Sequence, residues 1–407
     1  MNKSYLIILL TILFTGCYSG VKDSERLNSE RMKDFELSTK GQIVVDNNAE
    51  IKIDPSQLDL NKAKTSKTFR KRRYLELKTP NDVLIGGVSK IKTNDDLILI
   101  LDERISKAAY LFNSLGEYLF TVGSKGGGPG EHDDPIAIEL TDSRIILVDR
   151  QFTVHEYSLQ NQFISKQDIP FFSHSVFAFS NNSLAFSNNT TGYEDLSYQI
   201  ILIDGQEISL RALKNKGGAI SRYTSQQLSN NQEIHGDSFL FTEPWGTNIY
   251  QMSSSTIQSR YNIISDNPID ESLLNDDNRL AIEQYSRTFL YNWPILESET
   301  LTMMRVLHRN KLMTVFHNKQ TNEIKAYNGI SDDILYGGIM DFPVYVNKND
   351  YYIPLNVEQM YAAKQEIAAI KDEKLLSELK EARPEVFSLF DKITEFSNPI
   401  LMICEIY

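Results

Sequence analysis

Leu97-Ile98-Leu99-Ile100-Leu101-Asp102, a polar turn and then Ala108-Ala109-Tyr110 lie without a gap over Arg144-Ile145-Ile146-Leu147-Val148-Asp149, a turn and His155-Glu156-Tyr157. Each copy reads as strand, aspartate, turn, strand. The two recur at a period of about 45 residues, the spacing of a β-propeller blade. Around the first copy the pattern fills a four-stranded sheet over residues 88–91, 97–101, 108–112 and 117–122. Its hairpin turn is Asn113-Ser114-Leu115-Gly116, where Gly116 is free to take positive φ. The second copy fills residues 136–140, 144–148, 153–157 and 163–167. Its turn places Asn161 where the first has glycine, the next best residue for that conformation.

Weaker copies follow. A third spans residues 176–213, a fourth holds 237–241 and 248–250, and a fifth holds 302–307, 311–316 and 323–327. A sixth holds 344–346 and 351–354, and insertions break the period at 217–232 and 266–299. The pattern predicts an all-β chain, a six-bladed propeller of four-stranded antiparallel blades. Residues 356–395 interrupt it with helical spacing, one helix over 359–379 and a shorter one opened by Pro384. Residues 400–406 then read as a buried strand. Placed in the last blade beside an early strand, that run closes the ring and removes an open sheet edge. Residues 42–54 also look strand-like, and 55–73, basic toward their end, read as a loop.

The chain has 407 residues, is 41% hydrophobic and carries a formal net charge of −12. That size admits a large core, and that charge argues against nucleic acid or an anionic membrane surface as the main partner. At the N-terminus Lys3 precedes an apolar run over residues 5–14, too short to span a bilayer. It runs into Thr15-Gly16-Cys17, which resembles a bacterial lipobox, with cleavage before Cys17 and diacylation of its sulfur. The expected organisation is a signal peptide over 1–16, a tether over 17–40 and the propeller over 41–407. Lipid on Cys17 anchors the chain to a membrane without spanning it. The expected location is the outer membrane of a Gram-negative envelope, facing the periplasm. Lys22-Asp23-Ser24-Glu25 after the lipid cysteine is only a weak acidic signal, so surface exposure stays open.

The glycine-rich stretch Gly123-Ser124-Lys125-Gly126-Gly127-Gly128-Pro129-Gly130-Glu131 joins two strands and opens no helix, so it is not a phosphate-binding loop. Its plain reading is a set of turns carrying the chain from one blade to the next. Its functional reading brings Lys125, Glu131 and His132 to the mouth of the central channel. With Lys90-Ile91, residues 97–102, Leu111-Phe112-Asn113 and Gly116, residues 126–131 resemble the signature blade of the six-bladed β-propeller lipoproteins of Bacteroides-type bacteria. The lipobox, Ile51-Lys52-Ile53-Asp54, Tyr74-Leu75-Glu76-Leu77 and Ser397-Asn398-Pro399-Ile400-Leu401 extend the likeness along nearly the whole chain. Only residues 86–160 match densely, and His132 stands where that family tends to have an aromatic. The resemblance implies the fold and the anchor, and supplies no catalytic residues.

Candidates for chemistry are few. Glu131, Asp134, Asn181, Asn182 and Glu243 carry the oxygens an axial calcium needs, against their reading as turn formers. Asp102 and Asp149 recur in register, which favours capping of a turn over acid–base work. Cys404 sits in a buried-looking strand with no histidine partner in view. Trp245, Trp293 and Phe171-Phe172 offer an aromatic platform for a sugar, against packing between sheets.

The resulting expectation is a non-catalytic binding or scaffold protein. It would hold an envelope protein or glycan with channel-mouth loops that include Lys125, Glu131, His132 and Trp245, and need no cofactor. The alternative is a calcium-dependent hydrolase or lyase acting on a lactone or carbohydrate, and a third reading is an accessory subunit of an outer-membrane nutrient importer. An enzyme expects carboxylates and amides converging on one axial point, whereas a scaffold expects a plugged or apolar channel.

Overall fold

A computed structural model describes residues 30–38, 45–46, 51–54, 60–188, 194–214, 228, 232–243, 246–264, 288–290, 294–308, 311–331 and 342–406. The leader, Cys17, Trp245 and Trp293 lie outside the described residues. The chain is mostly β and forms six small sheets in a ring. The first blade is Lys90–Thr93, Leu97–Asp102, Ala108–Asn113 and Tyr118–Thr121. The second is Pro135–Leu140, Arg144–Asp149, Thr153–Ser158 and Phe163–Asp168. Val176–Ala178, Leu184–Ser187, Tyr198–Asp204 and Glu207–Lys214 make the third, and Ser238–Thr242, Asn248–Ser253 and Ile257–Ile263 make the fourth. In the fifth, short inner strands Thr288–Leu290 and Leu296–Glu297 precede Leu301–His308, Lys311–Asn318 and Ile324–Ser331. The sixth is Tyr345–Asn347, Asp350–Leu355, Ile400–Ile406 and Phe69–Glu76.

The unbroken apolar runs have a simple cause. Along Leu97–Asp102, Ile98 and Ile100 point into a cluster with Tyr352, Leu401 and Ile403 of the sixth blade. Leu99 and Leu101 point the other way, against Ile138, Leu140, Ile145 and Leu147 of the second blade. Ile146 and Val148 then meet Phe186, Ile201 and Ile203 of the third. A strand packed on both faces cannot alternate apolar with polar residues.

The ring closes through both ends of the chain. Ile400–Ile406 lies between Asp350–Leu355 and Phe69–Glu76, antiparallel to each, with Leu401 opposite Leu75 and Met402 opposite Tyr74. Upstream of that strand the N-terminal chain runs around the outside of the ring. Glu36–Leu37 pairs in parallel with the third blade, Val45–Asp46 and Ile51–Ile53 with the fourth, and Leu60–Lys64 with the fifth. This belt covers the outer edges of three blades in chain order and then supplies the outer strand of the sixth before entering the first blade.

Two expectations change here. Residues 55–73 are not simply a loop, because Leu60–Lys64, a helical turn at Thr65–Thr68 and Phe69–Glu76 are ordered within them. Their basic side chains find carboxylates, Arg70 and Lys71 on Glu405 at 3.2 and 2.7 Å and Arg73 on Asp350 at 3.0 Å. Nor is the tether free up to residue 40. Arg31 donates to the carbonyls of Gln151, Phe152 and Ile169 at 2.7, 3.1 and 3.1 Å. Met32 and Phe35 are buried in the cluster between the second and third blades.

The helical insertion comprises α1 (Val357–Ala368), α2 (Glu373–Ala382) and α3 (Pro384–Lys392). The single helix expected over 359–379 is divided, since Asp372 accepts from the N–H groups of Lys374 and Leu375 and starts α2 afresh. Met360, Ala363 and Ile367 of α1 and Val386, Leu389 and Phe390 of α3 pack on the fifth and sixth blades, while α2 buries no residue.

Strand polarity gives the ring two ends. Turns 94–96, 141–143 and 348–349 lie at one. At the other lie turns 103–107 and 150–152, crossovers 77–89 and 122–134 and the helical insertion, hence the insert end. At the 114–117 turn Gly116 takes φ +77, and a Cβ there would collide with the Glu76 carbonyl, so the turn needs glycine twice over.

Leu401, fully buried in the seam between the sixth and first blades, tests the closure. Leu401→Ala is expected to cost about 2–5 kcal/mol in denaturant unfolding. Leu119→Ala, on an exposed outer strand, should stay within about 0.5 kcal/mol of the parent.

Candidate binding site at the channel axis

All six blades line one small cavity on the axis, with Lys90, His174, His235, Glu297 and Tyr345 among its walls. Its volume is about 40 Å³, room for roughly two or three waters. Two charged centres flank it, both reached from inner strands.

The first lies between blades one and two. Lys90 extends from Lys90–Thr93 and donates its Nζ to the carbonyls of Ile136 and His174. Burial pushes its pKa down to about 8, with Glu103 opposing and Lys92 assisting. Lys92, two residues along and so on the same face, meets Glu139 Oε2 at 2.7 Å. Both side chains are nearly buried, and burial raises the Glu139 carboxyl against the pull of that ammonium. His174 is driven down to about 3 by burial, then by Lys90 and Arg150, so its ring is neutral at physiological pH.

The second centre lies between blades four and five. Glu297, fully buried, accepts from Arg260 Nε at 2.9 Å and from Lys319 Nζ at 2.8 Å, with His235 Nε2 at 3.6 Å. Burial alone would raise this carboxyl. The donors His235, Arg260 and Lys319 overcome it and hold the group well below the usual carboxylate range. Burial lowers His235, with Glu297 opposing.

Calcium takes six to eight oxygen ligands. The Glu139 and Glu297 carboxylates already accept from lysine and arginine, and among the described residues no group of three His, Cys, Asp or Glu side chains is placed to hold a metal.

The recurrent aspartates are turn caps, as their register suggested. Asp102 accepts from the N–H groups of Gly86, Ile105 and Ser106 at 2.8, 3.0 and 3.0 Å and from the Ser106 hydroxyl at 2.8 Å. Asp149 accepts from the N–H groups of Gln151 and Thr153 and from His155 Nε2, at 2.9, 3.0 and 2.9 Å. Burial works against both carboxylates, and these donors override it and depress their pKa values.

Lys125, Glu131 and His132 come together, but away from the cavity. They sit in the crossover between the first two blades, where Ser124–Lys125 pairs with Glu131–His132. Lys125 and Lys107 share Asp134 at 2.7 and 2.6 Å. Glu131 accepts from the Gly128 N–H at 2.7 Å. The buried His132 ring lies 2.9 Å from the Val122 carbonyl and edge-on to His155. These contacts join blades, and none of the three lines the axis. Asn181 accepts from Ser183, and Glu243 from Gln199 and Tyr250 at 3.3 and 3.4 Å. Phe171 is core, packed edge-on against Phe186.

Lys92, Glu139, Arg260, Glu297 and Lys319 were not singled out in the sequence, and Lys90 was quoted only for the family resemblance. The readable signal was a charge inside an otherwise buried strand, as in Lys90-Ile91-Lys92 and Ile138-Glu139-Leu140. The strand assignment was available. The convergence of distant blades was not.

A family profile described as "Domain of unknown function (DUF4934)" matches residues 49–405. No curated protein matches the chain. Among solved structures, a candidate exported protein from Bacteroides fragilis superposes with TM-score 0.69 at 17% identity, covering 89% of this chain and 100% of that one. A member of the DUF4221 family from Bacteroides vulgatus gives TM-score 0.46 at 10% identity, covering 83% and 97%. An ancestral GH74 enzyme gives 0.37 at 9% identity, covering 69% and 36%. The first likeness shows the fold, and the other two carry no argument.

Lys90 makes the axis testable by pH. Below about pH 8 the folded and unfolded chains both hold its proton and the burial cost applies in full. Above that only the unfolded chain keeps it, so stability rises until about pH 10.4. Relative to Lys90→Met, the parent should gain on the order of 3 kcal/mol across this window, read from denaturant midpoints at stepped pH. A flat difference would place Lys90 in contact with solvent.

Proposed function

The chain belongs to the DUF4934 family, a domain of unknown function, and on that premise we propose that it is an exported, lipid-anchored propeller that binds or scaffolds rather than catalyses. The leader and Cys17 support the anchor, and the likeness to a candidate exported protein supports export. Among the described residues no helix is long and apolar enough to cross a membrane. Attachment through Cys17, on the periplasmic side of an outer membrane, accords with both.

The observation that carries the non-catalytic reading is the filled axis. A calcium-dependent hydrolase or lyase would need Glu139 and Glu297 to release Lys92, Arg260 and Lys319, leaving buried cations without counter-charge at several kcal/mol each. Binding then falls to the ends of the ring, where loops and the helical insertion are presented to an envelope protein or glycan.

Calcium addition followed by chelation tests this reading. The melting temperature is expected to stay within about 1 °C throughout, since a ligand that binds only the folded state must raise it. A rise of several degrees, reversed by chelator, would restore the enzyme reading. For the anchor, Cys17→Ala is expected to move the protein from the membrane fraction to the soluble one.

A further inference from the structure

We propose that the insert end of the ring rests on the phospholipid bilayer, with Leu84, Ile105 and Phe396 as the side chains that touch it. The inference rests on the anchor reading of Cys17 and adds to it an orientation and a contact surface.

Three observations converge. Three large apolar side chains, Leu84, Ile105 and Phe396, are 64%, 69% and 79% exposed. Ile105 packs so closely on Gly86 that a Cβ there would overlap it. The Ile85 N–H donates to Asn398 Oδ1 at 3.0 Å, which ties the crossover segment carrying Leu84 and Gly86 to the C-terminal segment carrying Phe396. Single exposed apolar residues are ordinary on a soluble protein, whereas a group of them marks a contact surface.

The rim around this group carries both signs. Arg104, Lys107, Lys125 and Arg150 are exposed at the same end, with Asp134 shared by two of them, Glu103 3.9 Å from Arg150, and the exposed acids Asp82 and Glu395 beside Leu84 and Phe396. A rim of mixed charge is suited to the zwitterionic headgroups beside an apolar centre.

The third observation is where the anchored chain arrives. Arg31 is fastened to the 150–152 turn, at the insert end, through carbonyls of Gln151 and Phe152. The thirteen residues 18–30 separate it from Cys17, a reach of at most about 45 Å fully extended. A lipid on Cys17 therefore draws this end of the ring toward the membrane. Weak apolar contacts then suffice to set the orientation, because the lipid already confines the protein to the surface.

The test supplies an anchor independently of natural lipidation. Protein beginning at residue 17, with Cys17→Ser and an N-terminal hexahistidine, is held on nickel-chelating lipid in phosphatidylcholine–phosphatidylethanolamine vesicles. An environment-sensitive fluorophore is placed at Ile105→Cys or, in the exposed 141–143 turn at the opposite end, Ser143→Cys. Cys404 is buried with its thiol pushed well up, so it does not compete for label. The Ile105 probe is expected to brighten at least about twofold on vesicles and to be quenched by nitroxide lipid, with the Ser143 probe unchanged. Equal responses at both sites, or none at Ile105, would overturn the proposal. So would brightening that follows protein concentration without vesicles, which assigns the surface to a second copy. Both labelled proteins should melt with the parent. The mass of residue 17 in membrane-extracted protein judges the anchor separately, so a missing lipid and a wrong face give different results.

Discussion

Burial of each blade on both faces is the constraint from which the rest of the molecule follows. A sheet so short can exclude water only by lying against a neighbour on either side. Leu97–Asp102 therefore sends Ile98 and Ile100 to the sixth blade and Leu99 and Leu101 to the second. The same demand passes from blade to blade until the ring shuts, and no blade is a stable unit alone. Positions at the ring's seams are accordingly filled by Leu401, Ile403 and Tyr352 rather than by polar residues.

Closure leaves the outer strands as the remaining exposed edges, and the N-terminal chain covers three of them and itself supplies that of the sixth blade. Four parallel pairings and one antiparallel pairing hold it to successive blades, and ion pairs from Arg70, Lys71 and Arg73 secure its last segment. The belt begins at Arg31, whose three carbonyl contacts fix the exit point of the upstream chain. An anchor attached there acts on a defined part of the ring.

Much of the architecture was legible because its determinants are local. The buried runs at 97–102 and 144–149, the turn at Gly116 and the aspartate caps each depend on a few adjacent residues. The belt was harder to read. Residues 60–76 have little apolar alternation, and their strand state comes from partners more than 250 residues away, such as Ile324–Ser331 and Ile400–Ile406. The axial centres were hidden for the same reason, since Lys92 and Glu139, or Arg260 and Glu297, gain meaning only when separate blades meet. The glycine-rich crossover attracted attention by composition, and there Lys125 pairs with Asp134, Glu131 accepts from the Gly128 N–H and the His132 ring meets the Val122 carbonyl, all within residues 122–134.

The central claim is that the axial charges answer one another and not a ligand. A double-mutant cycle on Glu297→Gln and Arg260→Met measures this most directly, by equilibrium unfolding of the four proteins. The account expects each single change to destabilise and the pair to show a coupling of about 2–4 kcal/mol. A coupling near zero, with Glu297→Gln more stable than the parent, would show a carboxylate held in strain for a bound partner and would contradict it.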